Sequence, residues 1–450
     1  MTFSAANTRD EPPVMPRAHV RPLAVTHVST NDALGGAARA AHRLHRALGD
    51  AAVRSRMLVA QSFRPEEGVV EMNPFAPAPA ILGRTFFRIG RRLHRPSVRR
   101  AGAYFSPDWS FTGWRLVSQM PACDVVNLHW VADLLDYRSL PRLTERFPVV
   151  WTFHDMNAFT GGCHYAGPCT RFRGACGACP LLITSTGDGD MTRRILRRKQ
   201  RALARVRPGR LVVVCPSRWL ADEARGSTLF GRFDVRVIPN GLDLERYRPV
   251  DRLEARRQLG LPESARIVLF VADLIEDERK GLRALLAAAE AIRDVPRLLL
   301  VTLGRGGAAL PSSIAARHLG ALHDCAQLRA AYSAADVFAI PSLQDNLPNT
   351  ILESMACGTP VAGFRSGGVG EAVEHARTGL LAPTGDAREL AGVLRCILTD
   401  DGLRESFARE ARERAEREYS IGLQARRYAA LYDEVVEGAA RLPGGRAVFA

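Results

Sequence analysis

PSLQDNLPNTILESMACGTPVAGFRSGGVGE, residues 341–371, is the stretch that decides the fold. The short apolar run before it, Asp336–Ile340, reads as a buried parallel strand, since strands covered on both faces are apolar throughout. A Pro/Asn-rich loop leads into a helical segment, Thr350–Cys357. Gly358–Pro360 stops that helix, and Val361–Phe364 reads as the next strand. A Gly-Gly turn follows, and Glu371 opens another helix. In such sheets ligands bind beyond the C-terminal strand ends. Helix N-termini there offer free N–H groups and partial positive charge, which suits a diphosphate. Asp345 and Glu353, eight positions apart, put one carboxylate in the loop and one at the helix start. Thr350-x-x-Glu353 also spells a capping box, which needs no ligand, so Glu353 has two roles open to it.

With the MACGTPV and GGVGE segments included, the stretch resembles the donor-site signature of the family 4 retaining glycosyltransferases. The resemblance implies the α/β GT-B fold: two Rossmann-like doubly wound domains facing a central cleft, with a C-terminal helix crossing back to the first. It implies that Glu353 hydrogen-bonds the nucleotide ribose, and that Asp345 and the backbone of Asn346, Leu347 and Pro348 hold the sugar. The first acid of the signature is usually Glu; Asp345 has a shorter arm. Arg266–Ala272 reads as the first strand of the second domain, followed by the loop Asp273–Arg279 and then Lys280–Gly281. In the family an Arg near the strand end and a Lys before Gly grip the donor diphosphate. Lys280 matches; Asp273 stands where the Arg is usual, and Arg279 is the candidate replacement.

The first domain carries looser matches. Leu23–Ser29 reads as its first strand, and the loop TNDALGG places Gly35 and Gly36 before a helix, Ala37–Leu48. This resembles the family's Gly-rich loop facing acceptor and diphosphate. Asp124–His129 and Val149–Phe153 read as strands ending at NLHW and WTFHD. The resemblance places His154 beside the donor sugar; for His129 a hydrogen-bonded structural role is the commoner outcome. Leu211–Cys215 and Val235–Pro239 resemble the last strands of this domain, and IPNGLD, Ile238–Asp243, the interdomain connection. The expected division is a tail at 1–19, a first domain at 20–245 with a Cys-rich insertion at 161–180, a nucleotide-sugar domain at 246–415, crossover helices at 416–440 and a tail at 441–450.

The insertion reads GGCHYAGPCTRFRGACGACP. Cys163, Cys169, Cys176 and Cys179 suit a structural tetrahedral zinc site, with His164 as a substitute ligand. A redox pair at Cys176/Cys179, or disulfides after export, are the alternatives. Similar loops after an HDM segment occur in a subgroup of the family that makes surface polysaccharides.

The 450 residues, 46% hydrophobic and 24% charged, allow two or three domains with real cores. The sequence has no run of 18 apolar residues and no apolar leader-like segment in its first twenty, so a cytoplasmic protein with reduced thiols is expected. The net charge of +15 favours anionic partners. Within Phe75–Ser118, Arg84, Arg88, Arg91, Arg92 and Arg95 interleave with Leu82, Phe86, Phe87, Ile89 and Leu93. A basic amphipathic helix of this kind fits the inner face of an anionic membrane, or else a domain surface. A second basic run is Arg193–Arg210. Only Lys199 and Lys280 are lysines, positions where a compact ammonium was kept in an Arg-rich chain.

The expected activity is sugar transfer with retention, of hexosyltransferase type, from a UDP-, GDP- or ADP-sugar to a sugar or lipid-linked hydroxyl acceptor, in polysaccharide, glycolipid or other glycoconjugate synthesis. Asp345, His154 and Lys280 are the catalytic candidates. Lys280, Arg279 and the helix N-terminus near Thr350 supply positive potential for the leaving diphosphate, so no catalytic divalent metal is expected. A nucleotide-sugar 2-epimerase of the same fold is one alternative. A zinc-stabilised nucleic-acid-binding protein is another, but no aromatic stripe or helix–turn–helix supports it, and no nucleic-acid partner is expected.

Overall fold

The computed structural model describes residues 21–442, apart from 74, 184, 186, 308, 309 and 323 and, within 76–102, all but 82, 85, 88, 89, 92, 98 and 99. The first tail, the second from 443 on, and most of the basic amphipathic stretch therefore lie outside the described residues. Among the described residues, no helix is long and apolar enough to cross a membrane.

Two parallel sheets organise the chain. The first contains β1 (Ala24–Asn31), β2 (Arg54–Gln61), β3 (Val69–Glu71), β4 (Val125–Leu128), β5 (Val149–Thr152), β6 (Leu211–Cys215) and β7 (Asp234–Val237), in the order β3-β2-β1-β4-β5-β6-β7. The second contains β8 (Arg266–Leu274), β9 (Leu298–Arg305), β10 (Ala316–His318), β11 (Val337–Ile340), β12 (Val361–Phe364) and β13 (Gly379–Ala382), in the order β10-β9-β8-β11-β12-β13. β4, β5, β6, β11 and β12 are buried along their whole length, as helices on both faces require. The strands read from the sequence are present with shifts of a few residues at their ends. β2 and β3 were not legible: β2 opens on the polar Arg54-Ser55-Arg56, and β3 has only three residues.

Each sheet reverses its strand order at one point, between β1 and β4 and between β8 and β11. The crevices outside the C-terminal ends of those strands are the ligand positions of a doubly wound sheet. They fall at Asp32–Gly36 and His129 in the first sheet, and at the Lys280 and Pro341–Asp345 loops in the second.

The chain passes between the domains at Gly241–Leu242 and returns beside it. Leu242 N–H donates to the Tyr419 carbonyl at 2.8 Å, and Ile421 N–H donates to the Leu242 carbonyl at 2.9 Å. The last helix, Ile421–Ala440, then covers the first sheet: Ala425, Tyr428, Tyr432 and Val435 pack on Val25, Val125, Val150 and Val214. Its two tyrosines are fully buried, so their hydroxyls need partners. Asn127 Nδ2 donates to Tyr432 Oη at 2.6 Å, and Thr152 Oγ1 lies 3.0 Å from Tyr428 Oη. The expected crossing of the C-terminal helix is thus a packed and hydrogen-bonded one.

The basic run Arg193–Arg210 is partly turned inward. Arg198 holds Asp108 with two hydrogen bonds of 2.7 and 2.6 Å. Lys199, on the helix Met191–Ala204, is fully buried, and its Nζ donates to the carbonyls of Asn157 (2.5 Å) and Thr160 (3.2 Å). Three N–H donors on a compact head suit two converging carbonyls. Lys199 therefore fixes the turn that follows His154.

Two outcomes are expected. Tyr432→Ala should cost about 3–5 kcal/mol of stability in urea unfolding, as large-to-small core changes do, and Tyr432→Phe about 1–3 kcal/mol through the donor left on Asn127; a loss below about 1 kcal/mol for the alanine variant would mean the helix is not needed there. Burial pushes the Lys199 ammonium from 10.5 down to about 8. Below that value both folded and unfolded chains are protonated and the burial cost is constant. Above it the folded chain sheds the proton while the unfolded chain keeps it, so stability rises with pH up to the unfolded value. Between pH 7.5 and 9.5, wild type should gain on the order of 1–2 kcal/mol relative to Lys199→Met; a flat difference would place the ammonium in water.

Candidate functional site

The loops after β8 and β11 bring three charged side chains together. Lys280 Nζ donates to Asp345 Oδ2 at 2.5 Å, and Arg279 Nη1 stands 3.2 Å from the same oxygen. Tyr165, from the first domain, donates its hydroxyl to Asp345 Oδ1 at 3.2 Å, and Asn346 N–H donates to that oxygen at 3.1 Å. The Arg279 guanidinium lies 4.2 Å from the centre of the Tyr165 ring. Asp345 is 5% exposed. Burial alone would raise its carboxyl, but the Lys280 and Arg279 charges outweigh burial and hold it well below the usual carboxylate range. Lys280 is thus paired within the protein, and the charge at the start of the helix Leu282–Ala291 is met by Asp345.

The local sequence builds this cluster through close backbone approach. Gly281 has φ +77°, and a Cβ there would collide with the Pro341 carbonyl, so Lys280 is seated against the end of β11. Gly367, φ +52°, lies in the same way against the Asp345 carbonyl. Asp277 caps the turn Glu278–Lys280 by accepting from Arg279 N–H at 3.0 Å. The register of β8 on β9 shifts between Val271 and Leu274, which accounts for the longer loop. Asp273 pairs with Arg305 at 2.6 Å instead of joining the cluster. Arg279 takes up the place beside Lys280.

Glu353 is 5% exposed on the helix Asn349–Ala356. The capping-box reading is overturned: the N-cap is Pro348, with no side-chain cap bond, because the helix starts before Thr350. The Glu353 carboxylate instead accepts from Arg43 Nη2 at 2.8 Å and from the Tyr332 hydroxyl at 3.1 Å. Arg43 belongs to the first-domain helix Gly35–Ala47, so this ion pair spans the cleft. One turn earlier, Asn349 Nδ2 donates to the Gly36 carbonyl at 3.1 Å. Gly35, φ +86°, opens that helix.

The rest of the donor loop also meets the first domain. Asn346 accepts from Ser217 Oγ at 2.6 Å and donates to the His154 carbonyl at 3.2 Å. Leu347 is buried in the second-domain core. Gln344 Oε1 accepts from Gly167 N–H at 2.7 Å. Glu371 caps the helix Arg218–Arg225 across the seam, accepting from Arg218 N–H at 2.8 Å and Trp219 N–H at 2.5 Å. An acid at a helix N-terminus satisfies orphan donors and the dipole together.

On the first-domain wall, His27, His129 and His154 form a chain across β1, β4 and β5. His27 Nδ1 lies 2.8 Å from His129 Nε2, and His129 Nδ1 lies 3.1 Å from His154 Nε2. Burial lowers all three, His154 to about 4, so the chain is uncharged near neutral pH. What His154 offers at neutral pH is therefore hydrogen bonding. Asp155 is committed to structure, accepting from Trp130 Nε1 at 2.8 Å and pairing with His164 Nδ1 at 2.7 Å.

Cys163, Cys169, Cys176 and Cys179 line one cavity with Phe172 and Thr192. Burial pushes the Cys163 thiol up to about 12 and Cys176 up to about 11. Among the described residues, however, no group of three or more His, Cys, Asp or Glu side chains stands in an arrangement that could hold a metal ion. The four thiols thus share a cavity without being drawn together into the set read from their spacing. His164 is not a substitute ligand: its second nitrogen lies 3.0 Å from Ser106 Oγ. The segment between Cys163 and Cys169 carries Tyr165 and Gly167, both of which reach the second domain.

Arg43, Tyr165 and Tyr332 were not identified from the sequence. Arg43 sits in the middle of an ordinary amphipathic helix. Tyr165 was overshadowed by its cysteine neighbours. Arg43 lies seven positions after Gly36, two helical turns, which was the one available hint that they share a face.

Two family models match: "Glycosyltransferase Family 4" over residues 34–246 and "Glycosyl transferases group 1" over residues 265–400. Among curated proteins, D-inositol 3-phosphate glycosyltransferase of Saccharomonospora viridis is 36% identical over 203 residues, 41% of this chain and 46% of that protein. The protein of the same name from Thermobispora bispora is 34% identical over 221 residues, 45% of this chain and 51% of that protein. The match thus spans about half the length of these curated relatives. Among solved structures, sucrose-phosphate synthase of Thermosynechococcus elongatus aligns with TM-score 0.64 at 20% identity, covering 92% of this chain and 99% of that one. HepE of Anabaena, in complex with UDP and glucose, aligns with TM-score 0.60 at 16% identity, covering 92% and 100%. These likenesses establish the GT-B fold. With a family model on each half, the chain belongs to the family 4, group 1 glycosyltransferases.

Proposed function

We propose that this chain transfers a sugar, with retention, from a nucleotide-diphosphate sugar to a hydroxyl of a sugar or lipid-linked acceptor. The observation that carries the reading is the pairing of Lys280 and Arg279 beside Asp345, at the switch point of the second sheet. Two cations at that crevice suit a diphosphate, and they stabilise the charge that develops as it leaves. Within the protein their counter-charge is Asp345. When a diphosphate takes over the cations, Tyr165 and Asn346 N–H continue to satisfy the carboxylate, which is then free to orient the sugar. His154 faces the same space from the first domain, Gly35–Gly36 line the approach, and Glu353 takes the nucleoside ribose. HepE, a protein of the same fold, is described in complex with UDP and glucose, which supports a nucleotide-sugar donor.

The test is thermal shift with UDP-, GDP- and ADP-sugars, followed by nucleotide release with a hydroxyl acceptor. One donor should raise Tm, since a ligand at a hundred times its Kd adds about 2.7 kcal/mol. No shift with any of the three refutes the reading. Transfer onto an acceptor, as against conversion of the donor alone, separates the transferase from a 2-epimerase. Lys280→Ala should weaken donor binding tenfold or more, and Lys280→Arg should recover little, because a planar fork does not replace a point charge at one oxygen. Since Lys280 neutralises a buried carboxylate, Lys280→Ala should also cost about 2–3 kcal/mol of stability in the absence of donor. Wild-type donor affinity in that variant would mean the diphosphate lies elsewhere.

A structural zinc is a separate part of the proposal, supported by the shared cavity of Cys163, Cys169, Cys176 and Cys179. Metal analysis of protein purified without chelator should find about one zinc per chain, lost in Cys176→Ser. Its absence leaves these thiols as packing groups around the Tyr165 segment.

A further inference from the structure

The contact between the helices Gly35–Ala47 and Asn349–Ala356 is built from two polar side chains, each half satisfied. Arg43 Nη2 is used on Glu353, but Arg43 Nη1 is buried without a partner. Asn349 Nδ2 is used on the Gly36 carbonyl, but Asn349 Oδ1 is buried without a partner. The amide orientation is set by its neighbour, because a flipped Asn349 would turn its oxygen onto the Gly36 carbonyl. Gly36 and Arg43 are two turns apart on one helix, and Asn349 and Glu353 one turn apart on the other, so all four share a single seam. Glu353 is held by Arg43 and Tyr332, and a carboxylate has room for further donors.

A buried donor and a buried acceptor left over beside an anion are costly in the absence of a ligand. They ask for a group that accepts from Arg43, donates to Asn349 and donates to Glu353. A vicinal diol does all three, because each hydroxyl both donates and accepts. We propose that Arg43 and Asn349 complete, with Glu353, a two-domain site for the 2′- and 3′-hydroxyls of the donor's ribose. This rests on the nucleotide-sugar reading above. It adds that the first domain reads the nucleoside, so that the site is whole only when the cleft is closed. Arg43 is in this account both a ribose contact and the residue that positions Glu353.

The experiment is calorimetric titration of UDP, GDP and ADP, and then of the 2′-deoxy and 3′-deoxy forms of whichever binds. Wild type should prefer the ribonucleotide by tenfold or more. Arg43→Lys keeps a cation for Glu353 but has no second nitrogen in a fixed fork, so it should fold normally and prefer the ribonucleotide by less than about threefold. Asn349→Ala removes the unpartnered acceptor together with one hydrogen bond to Gly36, so it should still fold cooperatively and lose most of the same preference. A ratio unchanged from wild type in both folded variants overturns the assignment and leaves the donor reading standing. If none of the three nucleotides binds wild type, the donor reading falls and this assignment with it. An equal affinity of wild type for ribo and deoxy forms overturns this assignment and the ribose role of Glu353, and leaves the nucleotide-sugar donor standing.

Discussion

The buried carboxylate of Asp345 organises the candidate site. A charge removed from water must be paired and hydrogen-bonded, or it reverts to its neutral form. Asp345 remains ionised because Lys280, Arg279, Tyr165 and the Asn346 N–H converge on its two oxygens. Each of those partners arrives on a different segment. The turn Glu278–Lys280 must be capped, Gly281 must lie against the Pro341 carbonyl, and the first domain must bring Tyr165 across the cleft. One anion therefore sets the relative placement of two strand ends and an inserted loop.

The seam around it is polar and runs largely through single hydrogen bonds. Ser217 and the His154 carbonyl meet Asn346, Gly167 meets Gln344, the Gly36 carbonyl meets Asn349, and Glu371 caps the helix Arg218–Arg225. Interfaces of this kind open and close more readily than a shared apolar core. The permanent tie lies elsewhere, where Tyr428 and Tyr432 of the last helix are sunk into the first domain. A fixed back and a polar front suit a cleft that admits a charged ligand. The uncharged chain of His27, His129 and His154 gives the front a wall whose hydrogen bonding does not change across the neutral range.

The excess of arginine has several destinations. Part of it is internal: Arg198 on Asp108, Arg43 on Glu353 and Arg279 on Asp345. The two lysines are both specific, one buried on carbonyls and one on a carboxylate. The pairs Arg198–Asp108 and Arg43–Glu353 are each neutral, so the net charge of +15 is carried by cations outside them.

The sequence by itself determined the two parallel sheets and the positions of Lys280, Asp345, Asn346 and Glu353 at strand ends and helix starts. Those features depend on local pattern: apolar runs four or five residues long, glycines where backbones touch, and a Pro/Asn loop before a helix. It also made the crossing of the last helix legible through the family resemblance. Tertiary structure alone decided what each side chain touches. Glu353 reads as a cap from its spacing but is claimed by Arg43, 310 residues away, and by Tyr332. Asp273 stands where an Arg was expected and pairs outward with Arg305, while Arg279 turns in. Cys163 through Cys179 share a cavity without forming a metal-holding group, and the tyrosine between them reaches another domain. Periodicity records which way a residue faces along its own element. The partner of a buried charge is fixed by the packing of elements distant in sequence, and no local pattern encodes that.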